Sequence, residues 1–261
     1  MKIKQVLNAL EQFAPLPLQE SWDNAGLQLG LTEVEVSGAL LCLDVNEAIV
    51  DEAIRRDCNL IISHHPLLFH GLKQISDGDY VQRVVIRALK HDIAIISMHT
   101  NMDNAKDGVN WKIAEKLGLH NCSFFAQKNV GDHEGGSGVV GLMPSPMVAH
   151  DFIQLLKERF QVACVQCNEL LTRPISKVAI CGGAGDFLLN DALSLGADAF
   201  ITGEMHYHQY FGYEQRIQIC VIGHYQSEQY TAEVFRDIIQ RECPDVKVCI
   251  AETNTNPIIY V

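Results

Sequence analysis

Ile3, Val6, Leu7, Leu10 and Phe13 recur at helical spacing and predict a first helix over residues 3–13, closed by Pro15 and Pro17. A polar loop with two glycines follows, from Ser21 to Gly30. The pattern then changes to short, uninterrupted apolar runs at 38–43, 59–63 and 93–96. Runs of that kind predict strands buried on both faces, as in parallel sheets covered by helices. Between them, residues 46–56 and 79–91 carry one apolar face each and predict helices, and another helix is expected over 108–117. Strand–helix–strand alternation makes the fold class α/β.

Residues 120–150 shift in composition, with Gly131, Gly135, Gly136, Gly138 and Gly141 and two prolines, which predicts a strand-bearing connection at a domain boundary. A helix over 148–160 and a strand over 161–167 come next. Residues 175–204 then match 36–65 without a gap at a constant offset of 139, so that Ser37 falls on Ser176, Cys42 on Cys181, Ala53 on Ala192 and Ile62 on Ile201. The run Ile219 to His224 likewise resembles Ile93 to Met98. The chain is therefore expected to contain a duplicated α/β unit, the first repeat spanning 1–125 and completed by 246–261, the second spanning 126–245.

Composition narrows the function classes. The chain has 261 residues, 48% of them hydrophobic and 20% charged, enough for one large or two smaller cores. No apolar stretch approaches the roughly 18 residues of a membrane span, and residues 1–5 lead into an amphipathic helix, so no membrane partner is expected. A net charge of −12 disfavours nucleic acid, whose phosphates need a basic face. Nine cysteines without framework spacing fit buried free thiols in a reducing, cytoplasmic setting.

The candidate chemistry lies where strands end. His64-His65-Pro66 closes the run 59–63; adjacent histidines inside a strand would face opposite ways, so they converge only just past its end. Ligands collect at that edge of open α/β sheets. The pair is either two metal ligands or two hydrogen-bonded loop histidines. His99 and Asp103 follow the next strand, His224 and Glu228 the corresponding strand of the second half, and Glu204 and His206 the strand before it. If the chain passes directly from His224 into the helix carrying Tyr230, Val234, Phe235 and Ile238, Glu228 falls in its first turn. So many imidazoles and carboxylates exceed the three protein ligands of one catalytic zinc and suit two divalent ions. Two other motifs stay open. Gly182-Gly183-Ala184-Gly185 joins strand to helix and is either a phosphate-binding turn or a plain tight turn without a P-loop lysine. Cys164 and Cys167 have redox or zinc spacing but lack a second pair.

Trp22-Asp23-Asn24 with Gly26-Leu27, Ser63-His64-His65-Pro66, His99 to Asp103 followed by Gly108-Val109-Asn110, Thr202-Gly203-Glu204, and Gly223 to Glu228 together resemble the Nif-three-like dinuclear metal-centre family, also described as YbgI-type or GTP cyclohydrolase type 2-like. The resemblance implies two intertwined α/β repeats with mixed sheets and a metal site in the cleft between them. It implies His64, His65, Asp103, His224 and Glu228 as ligands of two divalent ions (Zn, Mn, Fe, Co or Ni) and assembly into a ring-shaped homohexamer. The activity it implies is metal-dependent hydrolysis of a small nucleotide-like substrate; the alternative is a non-catalytic metal-binding or regulatory interaction protein. Apart from the resemblance, Glu204, which falls at the repeat position of His65, and His206 either support the ligands or act as acid/base groups. Met102 stands where leucine is commoner in the family.

Overall fold

In the computed structural model, which describes residues 1–259 and 261, the chain opens with α1 (Ile3–Phe13), β1 (Gly26–Leu29), β2 (Ala39–Cys42), α2 (Glu47–Arg55) and β3 (Leu60–Ser63). It continues through α3 (Tyr80–Lys90), β4 (Ala94–Ser97), a short α4 (Thr100–Asn104), α5 (Val109–Leu117), β5 (His120–Gln127), β6 (Gly136–Met147) and α6 (Ala149–Phe160). Then come β7 (Gln166–Cys167), β8 (Ile175–Cys181), α7 (Leu189–Ser194), β9 (Ala199–Thr202), β10 (Gln218–Val221), α8 (His224–Glu228), α9 (Thr231–Glu242) and β11 (Val248–Ile250). These elements form two compact units, 1–105 with 231–259 and 106–230 with 261.

The first unit is built on a five-stranded mixed sheet of order β1-β4-β3-β2-β11, parallel except for β1. Every residue of β2, β3 and β4 is buried, which is why their sequences are continuous apolar runs rather than alternating ones. Leu40, Ile61 and Ile95 pack with Ile49, Val50, Val84 and Val85 of α2 and α3. Each such side chain contributes about 1.5–3 kcal/mol by leaving water. Helix starts are set by side chains: Asn46 accepts from the Ile49 N–H at 3.0 Å and Asp79 from the Gln82 N–H at 2.9 Å. Both chain ends contribute to this unit, since β11 adds beside β2 and α9 packs on α1.

The second unit carries a six-stranded mixed sheet of order β5-β6-β8-β9-β10-β7. Its core strands repeat the first unit's register. Ala39 pairs with Leu60 and Cys42 with Ser63, while Val178 pairs with Ala199 and Cys181 with Thr202, the same residues moved by the constant offset seen in the sequence.

Several expectations change. The third strand of the repeat is shifted: Ala94 partners Leu60 as Gln218 partners Ala199, so β4 corresponds to β10 two residues away from the alignment of Ile93 with Ile219. A two-residue slip leaves every side chain on its own face, so an apolar run hides it. The glycine-rich stretch bears strands as expected, but they belong to the second sheet, where β5 pairs with β6 and β6 with β8. A Cβ on Gly138 would come 2.4 Å from the Phe125 ring, so glycine there makes room for a cross-strand aromatic. Within the loop after α1, Gly26–Leu29 is an irregular edge strand against β4. The strand expected over 161–167 shrinks to β7, because Gln161 takes the left-handed conformation (φ 55°) that ends α6.

Candidate metal centre

Three histidines converge in the first unit. His64 and His65 leave β3, and His99 leaves the neighbouring β4; their coordinating nitrogens lie within 4.8 Å of one another, a group able to hold a metal ion. Ring centroids are 5.0 Å apart for His64–His65, 5.2 Å for His64–His99 and 5.5 Å for His65–His99. The parallel register places Ser63 opposite Ser97, so the two strands end together and deliver these residues to one edge.

Each ring is held by its Nδ1. His64 donates to the Met98 carbonyl at 2.8 Å, His65 to Asp44 Oδ1 at 2.6 Å and His99 to Asp23 Oδ1 at 2.7 Å. A carbonyl or carboxylate can only accept, so Nδ1 carries a proton, and when the ring is neutral its lone pair lies on Nε2. That tautomer is the one a metal needs, and an oxygen on the far nitrogen is the usual support of a ligating histidine. His64 is fully buried, and Asp103 Oδ1 of α4 lies 3.6 Å from its Nε2.

The supporting carboxylates are themselves fixed. Asp44 Oδ2 accepts from the Thr255 hydroxyl at 2.7 Å, and Asp23 Oδ2 accepts from the Thr100 N–H at 3.0 Å and from its hydroxyl. Burial alone would raise the Asp23 carboxyl, but the bonds from His99 and Thr100 outweigh it and lower the group to about 2. Burial also opposes the Asp44 charge, and His65 with Thr255 holds that carboxyl below the ordinary range. Trp22 and Phe69, both exposed, stand beside His99 with ring centroids 6.0 Å from it and 5.8 Å from each other.

In the second unit His224 and Glu228 lie one turn apart on α8, with Nε2 3.1 Å from Glu228 Oε2. Glu204 Oε1 is 3.0 Å from His224 Nδ1. Glu228 is not in the first turn of a long helix, as a direct passage into α9 would require; it ends the five-residue α8, and α9 starts at Thr231. What places it is the glycine turn. Gly183 (φ +58°) leaves room for the carboxylate, since a Cβ there would come 2.3 Å from Glu228 Oε1. The turn is not built as a phosphate cradle: the N–H groups of Gly182, Gly183 and Gly185 already donate to Asn110 Oδ1, Ser227 Oγ and Thr202 Oγ1.

A family model described as Duf34/NIF3 (NGG1p interacting factor 3) matches residues 1–257. The chain belongs to that family. A Clostridium perfringens relative named GTP cyclohydrolase 1 type 2 homolog is 34% identical over 263 residues, 100% of each chain. The crystal structure of a Staphylococcus aureus hypothetical protein superposes with a TM-score of 0.91 at 28% identity, covering 100% of this chain and 99% of that one. A Bacillus cereus protein related to NIF3 gives 0.89 at 23% identity with the same coverage, a likeness of fold.

Within this NIF3-family fold, His64, His65 and Asp103 come together in the first unit and His224 with Glu228 in the second, while His206 is exposed at the start of a short turn, Tyr207–Tyr210. His99, a candidate by its place after β4, joins the cluster, and Asp23, Asp44 and Thr255 support it through contacts that span 21 to 211 positions of sequence, which no local pattern signals. Asp23 sits in the Trp-Asp-Asn motif, and Asp44 follows β2 at the edge where His64 and His65 follow β3; those placements were the available signals. Cys164 and Cys167 are free thiols, the first exposed. Among the described residues no helix is long and apolar enough to cross a membrane.

Proposed function

We propose that this NIF3-family chain is a metal-dependent hydrolase of a small, nucleotide-like substrate, holding two divalent ions with His64, His65 and Asp103 of the first unit and His224 and Glu228 of the second. The observation that carries the reading is the convergence of His64 and His65, with His99 beside them, their ligand atoms within 4.8 Å of one another and each ring oriented by an oxygen on Nδ1. Imidazole and carboxylate donors without a thiolate fit Zn, Mn, Fe, Co or Ni.

Such ions, when bound, polarise a phosphoryl or carbonyl oxygen and bring the pKa of a water toward neutrality. The chain's own residues do the rest. Asp44, Asp23 and the Met98 carbonyl keep the protons of three rings on Nδ1, and Glu204 orients His224 through its Nδ1. Glu204 and His206, both exposed, are the groups that exchange protons with substrate and solvent. Trp22 and Phe69 present exposed aromatic faces suited to a planar base, which agrees with the name carried by the Clostridium relative. Assembly as a ring-shaped homohexamer in the cytoplasm belongs to the same proposal.

The test is a screen of the metal-loaded protein against nucleoside triphosphates and related cyclic ureas and amides. Asp103→Asn should lose metal and turnover together, whereas Glu204→Gln, which removes the carboxylate behind His224 Nδ1, should still fill with metal at saturation, at an affinity lowered by no more than about 10–100-fold, and lose 10²–10⁴-fold in rate when loaded, the range typical of a missing acid or base. A Glu204→Gln protein that cannot be filled with metal even at saturation would make Glu204 a ligand. The family description as an interacting factor favours a second reading, a metal-stabilised interaction protein. Full metal loading without turnover across the panel would select it.

A further inference from the structure

Cys58 and Cys249 are 191 positions apart in sequence, yet their Sγ atoms lie 3.7 Å apart. Cys58 occupies the turn between α2 and β3, and Cys249 is the central residue of β11, opposite Leu40 of β2. Each thiol also faces a carbonyl, Cys58 that of Arg56 at 3.7 Å and Cys249 that of Ala39 at 3.8 Å. Gly38 makes the space, because a Cβ there would come 3.0 Å from Cys58 Sγ. A small cavity of about 150 Å³, lined by Ser37, Asp57, Cys58, Asn59 and His91 among others, reaches the buried Cys58 from outside, and Cys249 is half-buried.

We propose that Cys58 and Cys249 are a redox-modification site, converted to a disulfide by a small hydroperoxide. Closing the bond requires the sulfurs to approach by about 1.7 Å, to the usual separation of about 2.05 Å. Cys249, the more accessible thiol, reacts first: its thiolate attacks a peroxide oxygen, the O–O bond breaks, and the hydroxide released takes up a proton as water, leaving a sulfenic acid. Cys58 sulfur then attacks the Cys249 sulfur, its proton leaves with the displaced hydroxide, and a second water forms. Two thiols are oxidised and one peroxide is reduced to two waters.

The surroundings favour this order. Burial, and then the neighbouring Cys249, pushes the Cys58 thiol up to about 12, while Lys247 and Arg56 pull the other way. Once Cys249 is a neutral sulfenic acid its opposition ends, and the two cations remain. The disulfide would tie β11 to the turn before β3. Beyond β11 the chain is gripped by Glu52, which accepts from the Glu252 N–H and from Thr253, and then by Asp44, which accepts from Thr255 and orients His65.

The experiment is hydrogen peroxide titration of the full chain, followed by thiol counting and peptide mapping under non-reducing conditions. The expected result is a fall from nine thiols to seven, one joined peptide pair containing Cys58 and Cys249, and its release by dithiothreitol. Cys249→Ser should abolish the joined pair while Cys58 remains a thiol; Cys164→Ser, at an exposed position, should leave it intact. A link in place of this one between Cys167 of β7 and Cys220 of β10, which stand opposite each other in the second sheet, oxidation of Cys249 to a sulfinic acid without a link, or no reaction at peroxide levels that oxidise Cys164 would each overturn the proposal.

Discussion

Asp44 joins the C-terminal segment to the histidine cluster: its Oδ1 accepts from His65 Nδ1 at 2.6 Å and its Oδ2 from the Thr255 hydroxyl at 2.7 Å. One carboxylate thus fixes the tautomer of a candidate ligand and is itself fixed by the last stretch of the chain.

Replacing that carboxylate tests its part in metal binding. Asp44→Asn keeps an acceptor of the same size and removes the charge, so metal affinity should fall about 10–100-fold, the usual effect of losing the partner behind a ligating histidine. Thr255→Val should give a smaller loss in the same direction. Competition against a chelator of known affinity measures both, and unchanged affinity in Asp44→Asn would show that the contact is only structural.

Glu52 predicts a pH dependence. It is 1% exposed and accepts from the Glu252 N–H, the Thr253 N–H and hydroxyl, and Arg56. Burial works against its charge, yet these partners hold it below the ordinary value of 4.5. A depressed carboxyl stabilises the fold above its unfolded pKa, and that contribution is lost as the pH falls through the folded value. Glu52→Gln should therefore cost about 1–3 kcal/mol near neutrality, since one amide hydrogen must face a donor. The gap between variant and wild-type unfolding midpoints should narrow below pH 4.5; a gap independent of pH would contradict the assignment.

Gly183 makes a sharper prediction because it has a matched control. Gly183→Ala puts a methyl 2.3 Å from Glu228 Oε1 at a φ of +58°, whereas Gly196→Ala, at +68°, meets nothing within 4 Å. Both should lose about 1–2 kcal/mol to left-handed strain, but Gly183→Ala should lose more through overpacking. It alone should lower metal content. Thermal unfolding with elemental analysis of both proteins separates strain from displacement of the carboxylate.

The sequence made the frame of this site legible for particular reasons. Side-chain parity in β3 forces His64 and His65 past the strand end, and the match of residues 36–65 to 175–204 survives as identical strand register in the two units. The histidines' supports were hidden, because Thr255 and Asp23 reach their partners across long stretches of chain that only the folded sheets bring together. The glycines of β6 signalled strand-bearing chain but not its place within the second sheet, for a physical reason as well. Glycine usually signals a turn, but at Gly138 it accommodates the Phe125 ring. Glu228 was recognisable by type, yet its placement depends on where α8 stops and on the space left at Gly183.

Elemental analysis of the purified chain, saturated with divalent metal and freed of excess, tests the central claim most directly. The account predicts two ions per chain in the wild type, with most of the binding lost in His64→Ala and in Glu228→Ala. One ion or none after saturation, or two ions retained in both variants, would contradict it.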